Sequence, residues 1–198
     1  MSPNYIELLT TPDYRQIKQN FLEELTIASQ GYPSSISYIR HLLPEKPIIR
    51  EGIVQGIVIG GTNFDIVTIE IDAKGNKEIV SRQKGIIPQF DSKETFLVFI
   101  EEHFNLKADG CAINLGFPMM PEKGKYGEID SKILYGVKEH AFHGLGGIPI
   151  GQFLRENLKR DIPLSVANDT VCLSLAGTGN EDGGFVLGSG INMAIISR

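Results

Sequence analysis

Gly56-Ile57-Val58-Ile59-Gly60-Gly61-Thr62-Asn63-Phe64-Asp65 is the stretch on which the reading of this chain turns. An apolar strand enters a Gly-Gly-Thr-Asn corner, and a second apolar strand, Asp65 to Ile71, leaves it. Two consecutive glycines permit a tight hairpin whose backbone can come close to a phosphate. Thr62 and Asn63 set a hydroxyl and an amide at its tip. A glycine hairpin alone is only a turn, so the surrounding segments decide what it is for.

Around the hairpin, Ile53–Ile59, Asp65–Ile71 and Lys77–Ile87 read as a three-stranded meander, with a second turn at Asp72–Asn76. Upstream, Ile17, Phe21, Leu22, Leu25 and Ala28 fall at helical spacing within residues 13–30, and Gly31 ends that helix. Ser34 or Ser35 is positioned to cap a short second helix, Ile36–Leu42, before Pro44 and Pro47. Downstream, Phe96, Phe99, Ile100 and Phe104 share one face of a helix over Ser92–Phe104. Asp109–Phe117 is apolar enough for a strand buried on both faces. Pro118–Asp130 reads as a polar loop. Pro149–Leu158 follows as a helix, Ile162–Ala167 as a short buried strand and Thr170–Ala176 as a helix. Phe185–Leu187 and Ile191–Ile196 then form a strand pair. An antiparallel meander feeding parallel strands through crossover helices makes an α/β fold with a mixed sheet. Three parts are expected: a helical leader over 1–50, a main lobe over 51–184, and the start of a second lobe over 185–198.

Composition narrows the function classes. The 198 residues are 41% hydrophobic and 22% charged, with a formal net charge of −5 and no basic block. Nucleic acid is therefore not an expected partner. No apolar run is long enough for a membrane-spanning helix. Met1–Glu7 lacks the basic and apolar regions of a secretory signal, so a cytoplasmic protein is expected. Cys111 and Cys172 sit in apolar surroundings without metal-ligand spacing and read as buried free thiols.

Four further segments follow the hairpin in order. They are Leu115-Gly116-Phe117-Pro118, Val137-Lys138-Glu139-His140 with Gly147-Ile148-Pro149-Ile150 behind it, Val166-Ala167-Asn168-Asp169-Thr170-Val171, and Gly184 to Asn192 around Gly188-Ser189-Gly190. With the hairpin, this series resembles the hexokinase family of actin/hexokinase-like, ribonuclease-H-like sugar kinases, over roughly Ile17 to Ile196. The family shows Asp-Leu-Gly-Gly-Thr-Asn-Phe-Arg, Ser-Phe-Pro, Thr-Lys-Gly-Phe, Val-Asn-Asp-Thr-Val and Gly-Thr-Gly-Thr-Asn at these places. The resemblance implies the small lobe of a kinase that moves the γ-phosphoryl group of ATP, with Mg²⁺, onto a hexose hydroxyl. It also implies that the adenosine site and the rest of the sugar site lie beyond residue 198, in a longer protein.

Phosphoryl transfer to a hydroxyl needs a carboxylate to accept its proton, and fixed donors to hold the sugar. Asp169 suits the first role. Asn168, Lys138 and Asn192 suit the second, with Phe117 and Pro118 bordering the sugar. Gly60, Gly61, Thr62 and Asn63, with Gly188, Ser189 and Gly190, are the expected phosphate cradle. Alternatives stand beside these roles. Asn168-Asp169-Thr170 is also a good helix N-cap, and Lys138 also reads as a solvated surface lysine. His140 and His143, three apart, could share a helix face, but no third metal ligand lies near them.

The chain departs from the family where it has Val58 for the Asp, Asp65 for the Arg, Gly116 for the Ser, Val137 for the Thr and Ile191 for the second Thr of the last motif. If Gly61-Thr62 is the turn, Val58 and Asp65 oppose each other, and Asp65 could anchor the metal's waters in place of the lost carboxylate. Asp65 as a solvated charge is the other reading. A sugar-binding sensor that has lost transfer is the alternative function, and an actin-like assembly protein a third. The final strand pair has open edges, so a homodimer is expected through them.

Overall fold

The computed structural model describes residues 11–35, 38–40, 44, 46–134, 136, 140–176, 183–187 and 191–195; at 11, 12, 183–187, 191, 192 and 195 only the backbone is described. It divides into two compact units, Met1–Arg40 and His41–Arg198.

The first unit carries α1, Thr11–Ser29. It ends at Gly31, whose φ of 82° suits a residue without a Cβ. The Ser34 hydroxyl donates to the Glu24 carboxylate at 2.5 Å, and Ser35 donates to it from its backbone N–H at 2.8 Å. Those two hydroxyls were the expected caps of a second helix. Both are turned back onto α1, and Tyr38–Arg40 are not helical. The rest of the expected Ile36–Leu42 helix lies outside the described residues.

The second unit is built on β1 (Gly52–Ile59), β2 (Asn63–Ile71) and β3 (Lys77–Ile86), followed by α2 (Lys93–His103) and β4 (Gly110–Leu115). β5 (Met119–Lys123), β6 (Ile129–Ile133), α3 (Ile150–Leu158), β7 (Leu164–Asn168) and α4 (Asp169–Ala176) come next, and β8 (Gly183–Leu187) and β9 (Ile191–Ile195) close the series. The main sheet runs β3-β2-β1-β4-β7. β1, β2 and β3 pair antiparallel, and β4 lies parallel between β1 and β7. This is the mixed α/β sheet that the sequence predicts.

Side-chain alternation gives the sheet two faces. Ile57, Ile59, Phe64, Ile66, Ile113, Leu115, Leu164 and Val166 point into one core with Phe96, Phe99 and Ile100 of α2 and Phe153 and Leu154 of α3. Ser92 and Thr95 form a reciprocal capping box at the start of α2. Aromatic edge-to-face contacts run from Phe64 to Phe99, from Phe90 to Phe96 and from Phe142 to Phe117.

The polar stretch Pro118–Asp130, expected as a loop, instead forms most of a β-hairpin. β5 pairs β6 from Met119 opposite Ile133 to Lys123 opposite Ile129. Pro121 is tolerated because β5 has a single strand partner. The Ser131 hydroxyl donates to Val166 O at 2.8 Å, and the Ser165 hydroxyl to Ile129 O at 3.2 Å, which stitches β6 to β7. Asp130, 1% exposed, then stands in for the side-chain cap that Pro149 cannot provide. It accepts the backbone N–H groups of Ser131, Gly151 and Gln152 at 2.7–2.9 Å. A Cβ on Gly151 would come 2.6 Å from Leu164 O and 2.8 Å from that carboxylate, so only glycine fits. Among the described residues no helix is long and apolar enough to cross a membrane.

Candidate functional site

Three of the segments singled out in the sequence meet at the carboxyl ends of three neighbouring strands. Ile59 pairs Leu115, and Leu115 pairs Asn168, so β1, β4 and β7 finish side by side. Each strand then hands over to a motif: the hairpin, Gly116-Phe117-Pro118, and Asp169-Thr170. A crevice at the carboxyl ends of parallel strands is the usual place for a ligand in an open α/β sheet. Gly116 marks the junction. Its N–H donates to Ile59 O at 3.0 Å. A Cβ built on it would lie 3.6 Å from Asp169 Oδ2, 3.7 Å from Ile59 O and 3.8 Å from the Gly60 Cα.

Asp169 is the first residue of α4. Its Oδ1 accepts the Thr170 N–H at 2.7 Å and the Thr170 hydroxyl at 3.1 Å. Its Oδ2 is the oxygen turned toward Gly116 and the hairpin. One oxygen thus serves the start of α4, and the other is left facing Gly116. Asn168 Oδ1 also accepts the Thr170 N–H, at 3.0 Å, and Asn168 Nδ2 donates to Phe117 O at 3.1 Å. Asn168 therefore ties the Phe117 segment to the start of α4.

Phe117 itself is 2% exposed, packed against Phe142 and His140. Its ring lies in the core, and its carbonyl is the group that accepts the Asn168 amide. Pro118 is half-buried, and its carbonyl accepts the Leu134 N–H at 3.0 Å. Gly61-Thr62 forms the expected two-residue turn, with Gly60 N–H donating to Asn63 O at 2.9 Å. Lys138, Gly188, Ser189 and Gly190 lie outside the described residues. Asn192 falls in β9, opposite Val186, and only its backbone is described.

His140 and His143 do not share a helix face, since residues 140–143 are not helical. His140 is buried, and its Nδ1 accepts the Phe90 N–H at 3.1 Å. No group of three or more His, Cys, Asp or Glu among the described residues could hold a metal ion. Cys111 is a buried free thiol, as expected, pushed up to about 12 by burial. Cys172 is half-buried; burial first and the nearby Asp169 carboxylate second push it up to about 11.

On the sheet face opposite α2, one row of residues crosses all five strands: Lys84, Asp65, Val58, Asn114 and Ala167. Val58 and Asp65 oppose each other as expected. Val58 is 43% exposed. Asp65 is a part-exposed, paired charge: Arg82 donates to both its oxygens, Nε to Oδ1 at 2.9 Å and Nη2 to Oδ2 at 2.5 Å, and the Lys84 ammonium lies 3.5 Å away. The Arg82 hydrogen bond, followed by the charges of Arg82 and Lys84, holds the Asp65 carboxyl below its ordinary value. Asn114 Oδ1, in contrast, is buried with no hydrogen-bond partner. Sequence reasoning passed over Arg82, Lys84 and Asn114. Alternation along β2, β3 and β4 could have placed them on the face of Asp65 and Val58.

A separate shallow cleft of about 650 Å³ opens between β5–β6 and α3, lined by Lys125, Arg155, Arg160 and Asp161 among others. None of the residues at the three strand ends lines it, and Lys125 is paired to Asp161 at 2.6 Å.

No protein-family model and no curated protein sequence matches the chain. Solved structures do match. A hexokinase from Schistosoma mansoni, solved in complex with glucose, superposes with a TM-score of 0.71 at 21% identity, over 94% of this chain and 46% of that one. A second hexokinase structure matches with a TM-score of 0.63 at 18% identity, over 93% of this chain and 49% of that one. The chain thus has the fold of hexokinase over nearly its whole length, and spans about half the length of these structures.

Proposed function

We propose that this chain is the sugar-binding lobe of an ATP-dependent, hexokinase-type phosphotransferase. The observation that carries the proposal is the convergence of Asp169 Oδ2, Gly116 and Gly60 at three adjacent strand ends. A hexose hydroxyl placed there would meet a carboxylate oxygen on one side and the glycine hairpin on the other.

The steps follow from the residues. Thr170 fixes Oδ1 of Asp169, which leaves Oδ2 directed at the crevice. Oδ2 takes the proton of the attacking hydroxyl as that oxygen forms its bond to the γ-phosphorus of ATP. The bond from that phosphorus to the bridging oxygen breaks, and ADP leaves. Asn168 holds the Phe117 segment in register with Asp169, and Lys138 and Asn192 are proposed to hold the sugar. The backbone of Gly60–Asn63, with Gly188-Ser189-Gly190, would cradle the phosphates.

Magnesium belongs to this reading as a charge screen on the phosphates, held chiefly by phosphate oxygens and water. Asp65, with both oxygens engaged by Arg82, offers such a shell little. The unpartnered Asn114 Oδ1, a neutral hard-oxygen acceptor across Val58, fits a metal-bound water better, and we assign it there. The same face supports a second reading. Exposed, apolar Val58 stands where a carboxylate is expected, which suits a sensor that binds sugar without transferring phosphate.

ADP release measured across a panel of hexoses with ATP and Mg²⁺, on the full-length natural protein, tests the proposal. Turnover that depends on one hexose supports the kinase. Absence of turnover with calorimetric hexose binding supports the sensor, and absence of both contradicts the two readings together.

A further inference from the structure

The cleft between the β5–β6 hairpin and α3 takes no part in the proposed reaction, yet cations from both elements line it. Its walls are fastened to each other. The Lys125 ammonium donates to both Asp161 oxygens at 2.6 Å, and the Tyr126 hydroxyl donates to Asp161 O at 3.0 Å, so the hairpin turn is tied to the end of α3. Asp130 holds the start of the same helix. The space is therefore formed before any ligand arrives, and its volume of about 650 Å³ suits a small molecule.

Charge and unmet hydrogen bonds define the ligand. Lys125 is spent on Asp161, Lys132 on Glu122, and Arg155 on Glu128 and Asp130. Among the described residues, Lys123, Lys159 and Arg160 of the lining have no carboxylate partner. Glu156 is the lining carboxylate left over, and Gln152 donates to it at 2.9 Å. Set against Glu156 and the second carboxylate beside Arg155, the three cations leave one positive charge in excess. Both guanidinium groups also lack acceptors. Arg155, with a side chain 9% exposed, makes one hydrogen bond, from Nη1 to Glu128, and its Nη2 stands 3.7 Å from Asp130, beyond hydrogen-bond reach. Arg160 donates from Nη2 to Ala108 O at 3.2 Å, and its buried Nε has no partner among the described residues. Donors of a charged group are costly to leave unmet, and a guanidinium fork beside ammonium groups suits an oxyanion. Pro149 is the one apolar side chain of the lining among the described residues, so the rest of the ligand is polar. We propose that this cleft binds a small polar metabolite through one oxyanion group, a phosphate monoester or a carboxylate. Arg155 and Arg160 meet its oxygens, with Lys123 and Lys159 at the rim. None of the residues at the strand ends takes part, so the site is independent of the kinase reading.

Calorimetric titration of the full-length protein with sodium phosphate and, separately, with sodium acetate tests the site, at an ionic strength held constant with sodium chloride. Lys123→Gln and Arg160→Gln are compared with the unaltered protein and with Lys77→Gln, which removes the same charge from β3, outside the cleft. Circular dichroism checks folding; Lys123 is exposed, so Lys123→Gln decides the question should Arg160→Gln unfold. Each cleft variant is expected to weaken binding about tenfold, the scale of one charge-assisted hydrogen bond, and Lys77→Gln to leave it unchanged. Where the cleft variants weaken binding, a response to phosphate alone identifies a phosphate monoester as the ligand class, and a response to acetate alone a carboxylate. A response to both supports the shared oxyanion chemistry. Equal affinity in all four proteins overturns the proposal, since an ion seated on the glycine hairpin would behave that way. An unaltered protein that binds neither ion overturns it as well.

Discussion

Asp169 and Gly116 are the residues at which structure and chemistry can be separated. One oxygen of Asp169 caps α4 and the other faces the crevice, so a substitution that keeps the cap and removes the base is informative. Gly116 offers the complementary test. A Cβ there would meet its three nearest atoms at 3.6–3.8 Å, ordinary contact distances, so serine fits without rearrangement. Gly116→Ser would set a hydroxyl beside Asp169 and the hairpin, as the resembled family does. It is expected to leave the melting temperature within about 2 °C and to tighten hexose binding by roughly threefold, a fraction of one hydrogen bond; calorimetry reads the affinity. An unfolded Gly116→Ser protein would show that the junction is tighter than the geometry implies.

At the scale of elements, the Glu128–Arg155–Asp130 cluster joins the β5–β6 hairpin to α3. Arg155 Nη1 lies 2.7 Å from Glu128 Oε1, and its Nη2 3.7 Å from Asp130 Oδ2, with all three side chains at most 9% exposed. Removing one partner strands a buried charge, so Arg155→Ala is expected to cost about 3–5 kcal/mol in a urea melt. A cost below 1 kcal/mol would mean that water reaches the cluster. Burial, partly offset by the N–H donors of Gly151, Ser131 and Gln152, holds the Asp130 carboxyl above its ordinary value of 3.8. A carboxylate with a raised folded pKa binds its proton more tightly folded than unfolded. Its contribution is therefore greatest below about 3.8 and is lost as pH rises through the folded value. The stability of the unaltered protein relative to Asp130→Asn should accordingly fall as pH rises through the carboxylate range, and a rise would contradict the assignment.

These same elements show what the sequence could reveal. The meander was legible because β-branched residues alternate and a Gly-Gly turn separates β1 from β2. α2 was legible because Phe96, Phe99 and Ile100 share one helical face. The β5–β6 hairpin was not, because Met119-Met120-Pro121-Glu122-Lys123 contains a proline and no apolar alternation; its pairing is set by contact with β7. The second helix after α1 was misread because Glu24 claims Ser34 and Ser35, a partnership ten and eleven residues apart that local spacing does not show. At the site, Asp169 and the hairpin were legible as ordered motifs. Arg82, Lys84 and Asn114 were not, because their place on the face of Asp65 and Val58 depends on strand register.

At the scale of the molecule, the larger core cluster sits on one face of the five-stranded sheet, with the row from Lys84 to Asn114 on the other and a smaller cluster of Ile129, Ala167 and Val171 beside it. That asymmetry leaves Lys84, Asp65, Val58 and Asn114 together on the sheet face opposite α2. The β8–β9 hairpin forms a sheet of its own, and two-stranded sheets are marginal alone. Pairing of its edges with a second copy is proposed, and small-angle scattering at rising concentration should show a dimer whose fraction follows mass action. A monomer throughout the range would set that pairing aside.

The central claim is that Asp169 accepts the proton of a bound hexose in the crevice at the ends of β1, β4 and β7. Steady-state kinetics of Asp169→Asn, beside calorimetric hexose binding by the same variant, test it most directly on the full-length protein. The account predicts a fall in kcat of about 10²–10⁴-fold, with hexose affinity within a few-fold of the unaltered protein and α4 intact. An Asp169→Asn protein that turns over hexose at the unaltered rate would contradict it.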